Sequence, residues 1–211
     1  MNSSKDLEAL LARVRACRIC AESLPLGPRP VLRAQASARL LIVGQAPGTK
    51  VHETGIPWND RSGDQLREWL AVDQDTFYDE SRVAIVPMGF CYPGVDPRGG
   101  DNPPRPECAA WHEPVLAQLP NVELVLLVGM YAQRHYLGKE RKRTLTDTVA
   151  AWRDYGPLYL PLPHPSWRNL HWRRRNPWFA AEILPVLRRR VHGLLQASAS
   201  RASISSSEKP K

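Results

Sequence analysis

Four short, predominantly apolar runs, rich in β-branched residues, constrain the fold of this chain more than any other feature of its sequence. They lack the strict alternation of apolar and polar residues that marks a half-exposed strand. Runs of this kind are typical of strands buried on both faces of a parallel sheet. The four predicted strands are Leu40–Val43, Val83–Val86, Val122–Val128 and Leu158–Leu162.

Segments with helical spacing of apolar residues alternate with these strands. They are Leu7–Val14, Ser62–Leu70, Pro106–Gln118, Tyr131–Leu137 and Trp178–Leu195. Alternating strands and helices predict an α/β fold, here a three-layer α/β/α domain around a central four-stranded parallel sheet. The 211 residues suffice for one such domain, which we expect over residues 1–195. Residues 196–211 are mainly Ser, Ala and Lys, and they are predicted to form a disordered polar tail.

The charge of the chain favours a polyanionic partner. There are 29 Lys and Arg against 21 Asp and Glu, which gives a net charge of +8. Residues 168–190 alone contain seven arginines and one acid. Such clustering is typical of nucleic-acid binding, and we expect DNA as the partner. The sequence has no apolar stretch long enough to span a membrane and no apolar signal-peptide core, so it predicts a soluble, cytoplasmic protein.

Glycine, proline and polar residues follow the predicted strands. The first strand is followed by Gly44–Gly48, the second by Gly89–Gly94 and the fourth by His164–Ser166. Ligands of an open parallel sheet bind at the carboxyl ends of its strands. We therefore expect these three segments to form one site.

Four cysteines form a candidate metal centre: Cys17, Cys20, Cys91 and Cys108. A disulfide framework is not expected without a secretion signal. Four thiolates suit either tetrahedral zinc or a [4Fe–4S] cluster, and the spacing does not decide between them. Because a zinc ribbon usually has a second close pair, the sixteen residues between Cys91 and Cys108 favour the cluster. The alternative is a redox pair or buried core cysteines.

Several of these segments resemble motifs of one family. The loop Gly44–Gly48 resembles motif 1 of the uracil-DNA glycosylase superfamily, and His164–Ser166 resembles its motif 2. The four cysteines resemble those of the iron–sulfur branch, families 4 and 5, where a Gly-x-Pro-Phe segment similar to Gly55–Trp58 follows motif 1. Residues Asn176–Phe179 resemble a glycosylase-like subgroup. The resemblance covers roughly residues 10–190, and the four features occur in the family's order.

The resemblance implies a DNA glycosylase of base excision repair, which flips a uracil or another deaminated base out of DNA and hydrolyses its N-glycosidic bond. It implies that His164 donates a hydrogen bond to the departing base. Gln45 would position water or contact the base, and Trp58 would stack on it. The other implied substrate-binding residues are Ala46, Gly48, Gly55 and Asn59.

The resemblance also implies that the segment after motif 2 enters the minor groove. Trp167 or Leu170 would wedge the duplex open, and the arginines would contact phosphates. The expected DNA-binding residues are Ser166, Trp167, Arg168, Leu170, Arg173 and Arg174. A monomer is expected.

Two positions depart from the family pattern. Ala46 replaces the Asp that activates water in the best-known branch, although the iron–sulfur branches also have Ala there. Pro87 replaces an Asn that reads the uracil edge. Asp60 or Asp64 could supply a carboxylate, and both also suit the start of a helix. The alternative function is therefore a protein that binds damaged or uracil-containing DNA without efficient turnover; a further alternative is an iron–sulfur or RNA-processing protein that merely shares the fold.

Overall fold

The computed structural model describes residues 3–97 and 99–207, with side chains for residues 4–97 and 99–196. Four strands of the described chain form one parallel sheet: β1 Leu40–Val43, β2 Val83–Ile85, β3 Leu124–Val128 and β4 Tyr159–Leu162. Their order is β2-β1-β3-β4. In the register, Leu40 pairs with Val83 on one side and with Leu124 on the other, and Val128 pairs with Leu162. The predicted parallel α/β sheet is confirmed.

Helices precede, connect and follow the strands. They are α1 Ser3–Arg15, α2 Thr49–Thr54, α3 Arg61–Leu70, α4 Gln74–Tyr78, α5 Ala109–Ala117, α6 Met130–Leu137, α7 Leu145–Ala150, α8 Leu170–Arg175 and α9 Leu184–Ser207. Short 3-10 turns lie at Ala21–Ser23, Pro106–Cys108, Gly138–Glu140, Trp152–Tyr155 and Trp167–Asn169, and a π-helical turn at Phe179–Ile183 leads into α9. No helix in the described ranges is long and apolar enough to cross a membrane.

Alternate residues of each strand point to opposite layers, because side chains alternate across a strand. On β1, Leu41 and Val43 pack with residues of α1, α5 and α6. Leu40 and Ile42 pack with residues of α3, α4 and α9 on the other face. The sheet is therefore buried on both faces, as the predicted three-layer α/β/α arrangement requires.

The predicted elements differ from the observed ones mainly at their ends. The third strand begins at Leu124 rather than Val122, because the Val122 amide donates to Leu119 in the turn after α5. The predicted helix over residues 106–118 is a 3-10 turn followed by α5. The last predicted helix begins with the π-helical turn.

The segment predicted to form a disordered tail overlaps the end of α9. Helix α9 continues through residues 196–207, and residues 208–211 lie outside the described part of the chain. Extending an existing helix fixes one residue for each new hydrogen bond, whereas nucleating a helix is costly. The packed start of α9 supplies that nucleus, so Ala and Ser residues with little to bury can follow in helical form.

Candidate active site

A cavity of about 390 Å³ lies at the carboxyl ends of the strands. Its walls come from the loops after β1, β2 and β4, as predicted for an open parallel sheet. The segment before α3 and the loop near residue 100 complete it. The residues that line the cavity include Gly44, Gln45, Ala46, Gly48, Trp58, Asp60, Ser62, Pro87, Gly100, Asp101, His164, Ser166, Trp167, Arg168 and Asn169.

His164 lies at the end of β4 and faces this cavity. The backbone N–H of Ser166 donates to its Nδ1 at 3.3 Å, so the hydrogen of the neutral ring lies on Nε2. The Asn169 side chain also holds His164 in place, because it donates to the His164 carbonyl oxygen at 2.7 Å. Burial lowers the pKa of His164 to about 4, although the nearby Asp60 charge acts in the opposite direction. The ring is therefore neutral near pH 7 and can donate a hydrogen bond.

Close contacts with Gly44 and Gly63 hold Trp58 beside His164. The two ring centroids are 5.6 Å apart and the planes are tilted by 31°. A Cβ added to Gly44 would lie 2.7 Å from the Trp58 ring, and one added to Gly63 would lie 1.7 Å from its carbonyl oxygen. The backbone of Trp58 has a φ of 56°, which is unusual for a residue with a side chain. Both glycines are needed for this close approach.

The structure separates the two carboxylates that the sequence left equivalent. Asp60 lines the cavity, and its Oδ1 accepts a hydrogen bond from the Gly63 N–H at 2.8 Å as the N-cap of α3. Asp64 pairs with Arg67 at 2.6 Å, and its side chain is 73% exposed. Asp60 is therefore the acid of this pair that faces the cavity.

The residues expected to bind substrate are divided between the cavity and its surroundings. Ala46 and Gly48 line it, as does Gln45, whose Nε2 donates to the Asn102 carbonyl at 3.3 Å. The other two lie outside the lining. Gly55 caps α2 with a φ of 70°, and Asn59 donates to the Thr54 hydroxyl at 3.4 Å.

The segment after motif 2 forms the mouth of the cavity. Ser166, Trp167 and Arg168 line it, and the Trp167 side chain is 72% exposed. The Arg168 guanidinium lies 5.5 Å from the centre of the Trp167 ring.

Three further predicted DNA-binding residues lie on α8, outside the cavity lining. Leu170 is 42% exposed, and Arg174 is also exposed. Arg173 donates to the Gln65 side chain at 2.7 Å and packs over the Trp69 ring. Arg173 therefore helps to join α8 to α3.

The four cysteines are free thiols. Cys20, Cys91 and Cys108 are buried, and Cys17 is partly exposed. Burial raises the pKa of both Cys91 and Cys108 to about 11, with smaller contributions from the charges of the other thiols. Among the described residues, no group of three or more His, Cys, Asp or Glu side chains has the geometry to hold a single metal ion.

Asp101, Asn169 and Gly100 line the cavity but were not predicted from the sequence to do so. Asn169 lies between the two wedge candidates Trp167 and Leu170, so its position was a usable signal. Asp101 lies in a Gly- and Pro-rich loop with no periodicity, and only the path of the folded loop brings it to the cavity.

Comparison with protein families supports the resemblance of the two motifs. Residues 33–188 match the uracil DNA glycosylase superfamily. The match covers most of the chain and includes β1 to β4, both motif loops and the cavity between them. The observed parallel sheet with helices on both faces agrees with the fold of that superfamily. The chain therefore belongs to the uracil-DNA glycosylase superfamily.

Proposed function

We propose that this protein is a DNA glycosylase that hydrolyses the N-glycosidic bond of uracil or another deaminated base in DNA. His164 is the residue that most supports the proposal: it lines the cavity, and its Nδ1 accepts from the Ser166 N–H, so the neutral ring carries its hydrogen on Nε2. Family membership supports the same reaction class. An N–H donor fixed where negative charge develops stabilises a transition state without reorganisation.

The proposed reaction begins with a nucleotide flipped out of the duplex into the cavity. The C1′–N bond breaks, and its electron pair leaves with the base, whose growing negative charge accepts the His164 hydrogen bond. Water adds to C1′, with its oxygen bonding to the carbon, and one of its protons ends on the released base. The products are a free base and an abasic site. The Trp58 ring gives the base an aromatic face.

The mouth of the cavity suits the proposed DNA contact. Trp167 and Leu170 are exposed apolar side chains on the same segment, and an apolar wedge can fill the space of a flipped base. Arg168 and Arg174 are exposed cations beside them and would contact phosphates.

Asp60 is the proposed water-positioning carboxylate. Its Oδ1 is used by the Gly63 N–H, and the second oxygen remains to hold the water or stabilise positive charge on the sugar. We expect Asp60→Asn to slow base release by roughly 10²–10⁴-fold, the usual contribution of such a group. Asn is as good an N-cap as Asp, so α3 should persist. Single-turnover release of free base from a uracil- or hypoxanthine-containing duplex measures the effect.

The matched control is Asp64→Asn, which removes the same charge four residues along the chain. The exposed Asp64 carboxylate pairs with the partly buried Arg67, and a pair with one solvent-exposed partner contributes about 1 kcal/mol. Its rate should stay within a few-fold of wild type. Equal rates for Asp60→Asn and Asp64→Asn would exclude a role for Asp60 in the chemical step.

A [4Fe–4S] cluster on the four cysteines is the proposed cofactor. A tetrahedral zinc site needs Zn–S bonds of about 2.3 Å and therefore sulfurs roughly 3.8 Å apart. In a [4Fe–4S] cluster each thiolate binds a separate iron, so the four sulfurs stand farther apart than they do around one zinc ion. Three of the four thiols are buried, and Cys20 and Cys91 belong to one buried cluster with Leu24. When bound, it would tie the segment after α1 to the loop before α5.

Anaerobic purification tests this cofactor. We expect a brown protein with about four iron and four sulfide ions per chain. Cys108→Ser should lose most of the iron and melt at a lower temperature, because a ligand of the centre is gone. A colourless wild-type protein with one zinc per chain would contradict the cluster.

A further inference from the structure

Asp101 is a second carboxylate at the cavity, contributed by the loop between β2 and α5. The adjacent residue fixes its position. Asn102 donates from its backbone to Gly94 at 2.9 Å and from its side chain to Pro93 at 3.1 Å, and its carbonyl accepts from Gln45 at 3.3 Å. The loop is thus anchored to motif 1, and Asp101 is presented at a defined place.

The surroundings of Asp101 are partly enclosed and charged. Partial burial raises its pKa, the charge of Asp60 acts in the same direction, and the charge of Arg168 opposes both. A Cβ added to the preceding Gly100 would lie 3.2 Å from the Arg168 guanidinium, so the loop closely approaches the motif 2 segment. Asp101 is therefore an exposed, charged residue of the cavity lining that lies close to Arg168.

The polar groups of the cavity lining include two carboxylates, besides the Arg168 guanidinium and the Ser62 and Ser166 hydroxyls. Asp60 and Asp101 both face the cavity, and Pro87 at the end of β2 has neither a side-chain amide nor a backbone N–H. A carboxylate accepts from N–H groups of a base edge. It is repelled by carbonyl oxygens, and the N3–H of uracil is flanked by two of them. The N1–H of hypoxanthine has a carbonyl on one side and a C–H on the other.

We propose that Asp101 reads the N–H edge of the flipped base and makes this site select hypoxanthine over uracil. The inference rests on the proposed glycosylase function and names its substrate class. A carboxylate that accepts from N1–H of hypoxanthine can stand on the C2 side of the base, away from O6. The two-ring face of Trp58 matches a two-ring purine. Asp60 holds water, and Asp101 selects the base.

Single-turnover release from matched duplexes tests the assignment, with one hypoxanthine or one uracil in the same sequence. We expect wild type to release hypoxanthine at least about tenfold faster, the usual discrimination of one good base contact. In Asp101→Asn the preference should shift toward uracil by about 10–100-fold. The Asn carbonyl can accept from N3–H while its amide donates to O4. The control Asp75→Asn removes an exposed acid on α4 and should keep the wild-type preference.

The outcomes separate this inference from the proposed function. Faster release of uracil by wild type, or an equal change for both bases in Asp101→Asn, would overturn base reading by Asp101 and leave the glycosylase intact. A change only in affinity for undamaged duplex would show that Asp101 acts through Arg168, which also overturns it. Release of neither of these bases, nor of xanthine from a matched duplex, would overturn the proposed function itself.

Discussion

Replacing His164 with alanine should slow base release by roughly 10²–10³-fold, the usual effect of removing one preorganised donor at a developing negative charge. The donor is Nε2–H, since the Ser166 amide occupies Nδ1. The single-turnover rate of base release should decrease, because the hydrogen bond strengthens as charge moves onto the base. Between pH 6 and 8 the wild-type rate should show no step from this residue, whose pKa is about 4. Protonation becomes important only as the pH falls toward 4.

His192→Ala is the matched control, since His192 lies on α9 and contacts the Ala71 carbonyl outside the cavity. It should release base at the wild-type rate. Anisotropy of a labelled duplex should give similar affinities for wild type and His164→Ala. Wild-type turnover in His164→Ala would remove this residue from the mechanism.

Gly63→Ala should destabilise the fold and also impair the site. The new Cβ would lie 1.7 Å from the Trp58 carbonyl oxygen, a backbone atom that cannot rotate away. Either α3 or the Trp58 backbone must shift, and overpacking of this kind costs about 1–3 kcal/mol or more. A displaced Trp58 would also disturb its contact with the His164 ring, so base release should slow beyond the loss of folded protein.

The control is Gly193→Ala, because Gly193 lies on α9 with open space around its Cα. Replacing glycine by alanine within an exposed helix stabilises it by about 0.5–1 kcal/mol. Urea unfolding should therefore shift in opposite directions for the two variants. If Gly63→Ala is as stable as wild type, Gly63 does not make the close contact with the Trp58 carbonyl oxygen.

The sheet could be predicted from sequence because its strands are buried on both faces, and such strands appear as apolar runs. The helices α2, α4, α7 and α8 could not, since each has only five or six residues and too few turns for a periodic pattern. They are stabilised in place by caps and packing. Asp73, for example, accepts a hydrogen bond from the Thr76 N–H at the start of α4.

Parts of the site next to a strand end were predictable, and parts on free loops were not. Gln45 and His164 directly follow strands, so the sheet itself brings them together. Asn59 and Gly55 were expected at the base, but the turn after α2 carries both outside the cavity lining. Asp60 and Asp64 are alike in sequence, and only the direction of α3 shows which one faces the cavity. Asp101 depends on how a long loop folds back.

Hydrolytic release of a base from DNA is the activity that we propose for this chain. Mass spectrometry tests it on wild-type protein, purified anaerobically, after incubation with duplexes that contain one uracil, hypoxanthine or xanthine. We expect a free base and a strand with one abasic site, formed without added metal or nucleotide. Tight binding to such duplexes with every strand left intact would contradict it and would identify a damage-binding protein without turnover.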